Sequence, residues 1–198
     1  MVNPKQVHII GAKHVMRYLK GTLDYGLRYT SSGEIKLHGY VDSDWSGSAK
    51  YRKSTSGCCF SLGSGMISWF SRKHTSIALS TDEAEYITAC SACSETVWLR
   101  KMLLGLFDVE VDVTVILCDN QSCIKMTENP VFHDKSKHIE IKYHFIRDMV
   151  QKGAVKLKYV PTEEQVADVL TKPLARVKFE YFQDKLGLVR KDLSRKRE

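Results

Sequence analysis

The chain has 198 residues, 43% of them hydrophobic and 27% charged, which is the make-up of an ordinary globular protein with material for one good core. No apolar run approaches the length of a membrane span and residues 1–20 lack a signal-peptide pattern, so a soluble, intracellular chain with no membrane partner is expected. The formal net charge of +7 favours a polyanionic partner over an acidic one, but only weakly.

The basic excess lies at the ends. Residues 1–30 carry five Lys/Arg against one acid, and residues 176–198 carry eight against four. From charge alone, solvated tails come before nucleic-acid contacts. Six cysteines raise the question of a metal or disulfide. Cys90 and Cys93 form a CxxC inside a helical pattern, with no second pair at zinc-binding spacing, so all six are expected to be buried thiols.

"QVHIIGAKHVMRYLK", residues 6–20, has Ile9, Ala12, Val15, Met16 and Leu19 near one face of a helix, which Gly21 ends. A short strand is expected around Leu27–Tyr29. In "IKLHGYVDSDW" the period-two alternation of Leu37, Gly39 and Val41 with His38, Tyr40 and Asp42 makes a strand ending in Asp42. A basic, hydroxyl-rich loop, "SAKYRKSTSG", leads to two strands, about 57–62 and 66–72, joined as a hairpin at "GSG".

The segment from Ser80 is the clearest helix, with Ser80 and Glu83 at capping-box spacing and Ala89 and Ala92 following Glu85 on a face of small residues. "VTVILCDNQSC" is a strand running into Asp119, followed by a helix from Gln121 to Glu128 and a longer, histidine-bearing helix stopped by Gly153. "AVKLKYV" is another strand. Thr162 with Gln165 makes a second capping box, predicting a helix that holds Asp168 and ends near Pro173, and a last helix covers about 176–186. Trp69 and Trp98 are expected in the core rather than as stacking platforms for bases.

After residue 34 the order is βββαβαβα. If the first and fourth of those strands pair in parallel, Asp42 and Asp119 lie side by side at one end of the sheet. Glu85 leans over that end from its helix, and Asp168 reaches it from the penultimate helix. Two carboxylates ~4 Å apart repel by ~4 kcal/mol at an effective dielectric near 20. Divalent cations remove that cost, and an all-oxygen donor set suits Mg²⁺. A pair of such ions supports phosphodiester hydrolysis. Singly, each acid has a plainer role as a strand-end turn or a helix-dipole partner; together they point to a metal site.

"GYVDSDWSG", "RKSTSGCCFSLG", "ISWFSRKH", "STDEAEY", "CDNQSC", "KHIEIKYHFIRD" and "VPTEEQVADVLTKPL" resemble the ribonuclease H domain of Ty1/copia-type LTR retrotransposon polyproteins, over about residues 36–188. The first 30 residues resemble the end of the preceding reverse transcriptase. The resemblance implies an α/β, RNase H-like fold with a five-stranded mixed sheet and helices on both faces. It divides the chain into a reverse-transcriptase remnant (1–33), an RNase H domain (34–189) and a basic disordered tail (190–198). The chain is then expected to be an excised fragment.

The implied activity is endonucleolytic hydrolysis of the RNA strand of an RNA–DNA hybrid during reverse transcription, by two Mg²⁺ ions for which Mn²⁺ substitutes. The implied catalytic and metal-ligating residues are Asp42, Glu85, Asp119 and Asp168, with Asp44 a competitor of Asp42. Ser43, Asp44, Arg52, Ser54, Thr55, Asn120 and Gln121 are candidates to meet the substrate. Implied partners are the hybrid and the reverse transcriptase of the same polyprotein, in cytoplasmic virus-like particles or the nucleus.

One departure is the loop "KYVPTEEQ", which lacks the histidine that many cellular RNases H carry before the final acid; His133, His138 and His144 lie elsewhere. The competing readings are a domain that keeps the fold and grips hybrid or duplex without cutting, and an integrase-like nuclease.

Overall fold

The computed structural model describes residues 3–31, 34–48, 51–128 and 137–191, with side chains for all of these except 137–143. His133, the side chain of His138 and residues 192–198 of the expected tail therefore lie outside the described residues. In chain order the elements are α1 (Gln6–Gly21), β1 (Tyr25–Leu27), β2 (Leu37–Asp44), β3 (Thr55–Leu62), β4 (Gly65–Lys73), α2 (Thr81–Phe107), β5 (Thr114–Cys118), α3 (Gln121–Glu128), α4 (Lys137–Gln151), β6 (Val155–Tyr159), α5 (Arg176–Lys185) and β7 (Leu188–Arg190). Two 3-10 turns, Thr162–Glu164 and Val166–Leu170, stand between β6 and α5.

Five strands form one mixed sheet in the order β4-β3-β2-β5-β6. The β2, β3 and β4 strands are antiparallel neighbours, as their short connections require, whereas β2–β5 and β5–β6 are parallel and joined through helices. On one face, Leu37, Val41, Ile116 and Cys118 pack against Tyr86, Ala89, Ala92 and Cys93 of α2 and Ile146 of α4. Alanines at 89 and 92 let α2 approach closely. On the other face, Cys59 and Met66 pack with Val166 and Phe182, and Tyr40 joins them. This is the α/β architecture with helices on both faces that the sequence predicts.

The six cysteines are buried thiols and none is in a disulfide, as expected. Ser80 Oγ accepts from the Glu83 amide at 3.1 Å, but the Glu83 carboxylate turns back to the Leu79 amide at 2.8 Å, one residue before the expected position.

Three expectations fail. The segment holding Asp168 is a pair of 3-10 turns rather than an α-helix. The Thr162/Gln165 capping box does not form, because the Gln165 side chain is drawn inward to Val41. Trp69 and Trp98 are 58% and 55% exposed, so neither is a core residue: β4 is the sheet's edge strand and Trp98 lies on the outer side of α2.

The first strand lies at Tyr25–Leu27, two residues earlier than expected, and pairs with β7 in a separate antiparallel ribbon. Tyr29 Oη donates to the Met66 carbonyl at 2.5 Å, and the Thr30 amide to Ser64 Oγ at 2.9 Å, fastening this stretch to the β3–β4 hairpin. By contrast, α1 buries none of its residues. No helix among the described residues is long and apolar enough to cross a membrane.

Candidate active site

The parallel register between β2 and β5 decides the site. Val41 is paired with Cys118, so the next residues, Asp42 two positions before β2 ends and Asp119 just past the end of β5, come side by side at the carboxyl end of the parallel pair. Strand alternation turns Val41 and Cys118 toward α2 and Asp42 and Asp119 toward the 3-10 turns. There Thr171 Oγ1 donates to Asp42 Oδ2, and Thr162 Oγ1 donates to Asp119 Oδ2 at 2.8 Å.

From the opposite face, Glu85 in the second turn of α2 reaches over the strand end, where the Ser43 amide donates to its Oε1 at 2.9 Å. Cys118 Sγ stands 4.0 Å from Glu85 Oε2. Glu85, Cys118 and Asp119 each offer a ligand atom within 4.8 Å of the others, a group able to hold a metal ion.

Asp168 is fully buried on the second 3-10 turn. Lys172 Nζ lies 2.9 Å from its Oδ1 and Lys178 Nζ 2.8 Å from its Oδ2; Lys172 Nζ is also 3.7 Å from Asp42 Oδ2. The turn lies this close to the sheet because residue 57, the register partner of Asp42, is glycine. A Cβ there would stand 2.6 Å from Thr171 Cγ2, 2.9 Å from Leu170 Cβ and 3.1 Å from the Ala167 carbonyl.

The electrostatics record the cost of gathering these acids. Burial pushes Asp42 up to about 6; the Thr171 hydrogen bond and the Lys172 charge oppose that, while Asp168 and Asp119 add to it. Burial, then Cys118, Asp42 and Asp119, push Glu85 up to about 10, against the Ser43 amide. Asp42 and Glu85 resist ionising because water is excluded and their neighbours are negative, the condition that a bound cation relieves. The oxygen-rich donor set fits a hard divalent ion.

All four predicted acids thus meet at one end of the sheet. The candidate substrate residues do not all reach its surface. Arg52 and Gln121 are exposed. Thr55 is half-buried. Asp44 is half-buried too, its carboxylate folded over Gly47, where a Cβ would lie 1.8 Å from Oδ2. Asn120 is occupied, donating to Asp82 Oδ1 at 2.9 Å and accepting from the Cys123 amide at 2.8 Å at the start of α3.

Ser43 and Ser54 are buried. Ser54 Oγ accepts from the Ser46 amide at 3.2 Å, closing the loop after β2, so neither serine is open to a substrate in this conformation. Small hydroxyl residues at strand ends resemble surface positions in sequence, and only tertiary packing tells them apart. Lys172, Lys178 and Thr171 escaped the sequence reading, and Thr162 and Gln165 entered it only as a capping box. Only Lys172 carried a local signal, its i,i+4 spacing from Asp168.

No family model matches the chain. It is 41% identical over 187 residues to a retrovirus-related Pol polyprotein from transposon RE2 of Arabidopsis thaliana, covering 94% of this chain and 13% of that protein. It is 40% identical over 188 residues to the Pol polyprotein from transposon TNT 1-94 of Nicotiana tabacum, covering 94% of this chain and 14% of that one. The chain's homologues at about 40% identity are thus Pol polyproteins of copia-type retrotransposons, of which it matches one segment.

The chain spans about an eighth of the length of those relatives. Among solved structures it is similar to LC11-RNase H1 in complex with an RNA/DNA hybrid, with a TM-score of 0.50 at 14% identity, covering 69% of this chain and 94% of that one. At that identity the likeness shows the fold, which is that of RNase H.

Proposed function

We propose that this chain is a Pol polyprotein's ribonuclease H, hydrolysing the RNA strand of RNA–DNA hybrids, with Asp42, Glu85, Asp119 and Asp168 as its metal ligands. The observation that carries this reading is the β2–β5 register, which sets Asp42 and Asp119 side by side at the carboxyl end of the parallel pair, under Glu85. Two Mg²⁺ ions, or Mn²⁺ in their place, would activate the attacking water and stabilise the leaving 3′ oxygen.

The chain's own residues hold the acids ready. Ser43 fixes Glu85 through its backbone amide, Thr171 orients Asp42, and Thr162 orients Asp119. Arg52, exposed on the loop after β2, is available to a backbone phosphate, and Gln121, exposed at the first turn of α3 beside Asp119, to the RNA strand. The water-derived hydroxyl bonds to phosphorus as the P–O3′ bond breaks, leaving a 3′-hydroxyl and a 5′-phosphate.

On this reading residues 1–33 belong to a reverse-transcriptase connection, residues 34–189 to the nuclease and 190–198 to a basic tail, except that Arg190 is the last residue of β7, paired with Tyr25. The reverse transcriptase of the same polyprotein is the partner, and virus-like particles in the cytoplasm, or the nucleus, are the location. A second reading, a module that grips hybrid without cutting, draws support from the two lysines already neutralising Asp168.

Strand-specific cleavage of a labelled hybrid, with hybrid binding measured in parallel with and without Mg²⁺, separates the two. The nuclease reading predicts Mg²⁺-dependent cutting of RNA alone. Binding that is indifferent to Mg²⁺, with no cutting in Mg²⁺ or Mn²⁺, would leave the gripping module.

A further inference from the structure

Lys172 has no part in the chemistry described so far, yet its ammonium lies among the acids. It bridges two carboxylates that are almost wholly withdrawn from water and come from distant parts of the chain: Asp168 Oδ1 at 2.9 Å and Asp42 Oδ2 at 3.7 Å. Those two oxygens are therefore no farther apart than the two contact distances combined.

The contact with Asp168 is an ion pair to a buried oxygen, with the ammonium beside Oδ1. A contact held by charge is one that another cation can replace.

Lys178 is placed differently. It holds the other oxygen of Asp168 and also donates to the Thr162 carbonyl at 3.2 Å, whose hydroxyl in turn holds Asp119. Lys178 is thus built into the frame between two acids. Lys172 is not: its ion-pair partners among the described residues are Asp42 and Asp168, the two acids themselves, and its side chain, about as exposed as that of Lys178, keeps a path to water. A flexible four-carbon stem lets such an ammonium swing into water when its place is taken.

We propose that Lys172 is a tethered counter-cation of the acid site, its ammonium holding the position between Asp42 and Asp168 that a divalent ion must take, so that metal loading requires it to leave. This rests on the assignment of Asp42 and Asp168 as metal ligands above. Without metal, the lysine keeps two buried carboxylates together that would otherwise repel. With metal, it is a competitor, and the site's affinity for divalent ions is lower for its presence. Lys172 is a positioning residue in this account, since it acts through the ligands.

The test is Mn²⁺ titration by calorimetry on the full chain, comparing the parent with Lys172→Met, Lys172→Gln and Lys172→Arg, and with Asp168→Asn as the control for the site. Removing the charge is expected to tighten Mn²⁺ binding about tenfold, the low end of what one opposite charge within 4–6 Å does to a carboxylate's proton affinity. The metal-free Met and Gln variants are expected to melt below the parent and to regain the difference on adding Mn²⁺. Lys172→Arg is expected to bind like the parent.

If the parent binds Mn²⁺ in an Asp168-dependent way and both neutral variants bind it no more tightly, the counter-cation role is wrong while the metal site stands. If no version binds Mn²⁺ at the acids, the metal site and the counter-cation role fall together. Having two neutral variants of different polarity guards against one of them failing to fold.

Discussion

The side-chain amide of Gln165 donates to the Val41 carbonyl at 2.8 Å, and its own carbonyl accepts from the Ala167 amide at 3.3 Å. One buried residue thus ties the turn carrying Asp168 to the strand residue just before Asp42, across 124 positions of sequence. Two acids far apart in the chain are held in register by a neutral side chain that hydrogen-bonds to neither carboxylate.

Replacing Gln165 with Leu should leave the Val41 carbonyl without its buried partner, at a cost of about 1–3 kcal/mol. Urea unfolding should record that loss. RNA cleavage should fall further than the loss of stability accounts for, because Asp168 loses its register with Asp42. A variant as stable and active as the parent would remove Gln165 from the account.

Gly57→Ala tests the close approach on the other side of Asp42. The added methyl meets Thr171, Leu170 and the Ala167 backbone, none of which is the free end of a flexible chain. An overpacking cost of about 1–3 kcal/mol is expected. Hybrid cleavage should drop with it, as the Thr171–Asp42 hydrogen bond lengthens. Equal unfolding midpoints for variant and parent would show that the turn has room.

The raised Glu85 predicts how the metal-free chain responds to pH. Folded, its carboxyl titrates up at about 10, above its unfolded value of 4.5. Between those values the folded state keeps a proton that the unfolded state has released. Its contribution to stability is complete below the unfolded value and is lost as pH rises, by at most ~1.36 kcal/mol per pH unit. Asp42, raised to about 6, adds the same sign between about 4 and 6.

Chemical denaturation in EDTA should therefore show Glu85→Gln gaining on the parent as pH rises from 6 to 9. Mg²⁺ should stabilise the parent more at pH 8 than at pH 5.5, and Glu85→Gln much less at either. A parent whose metal-free stability climbs over that range would contradict the burial argument.

Trp98 should be nearly silent in stability. With 55% of its surface in water, Trp98→Ala should change the unfolding free energy by no more than about 0.5 kcal/mol. A loss of several kcal/mol in thermal or urea unfolding would return it to the core.

The main frame of the site was legible in the sequence because it is written in short-range patterns. The alternation through Val41 and the run through Cys118 mark strands whose next residue is an acid. Ala89 and Ala92 mark the helix face that carries Glu85 onto the sheet. What was not legible depends on distant partners. Val166 and Ala167 carry an apolar signal that fits an α-helix, but the segment is a pair of tighter turns anchored to Val41 by Gln165, a partner 124 positions away. Trp69 and Trp98 are large and apolar, yet one is on an edge strand and the other on an outer helix face. Asn120 and Ser54 look like free polar groups until Asp82, Cys123 and Ser46 are seen to occupy them.

The most direct measurement is cleavage of an RNA–DNA hybrid, labelled on either strand, by the parent and by Asp42→Asn, Glu85→Gln, Asp119→Asn and Asp168→Asn, with hybrid binding followed alongside. If the four acids form one metal-dependent centre, the parent cuts only the RNA strand in Mg²⁺, and each variant loses cutting while still binding hybrid. Undiminished cutting by any one of the four would contradict that centre.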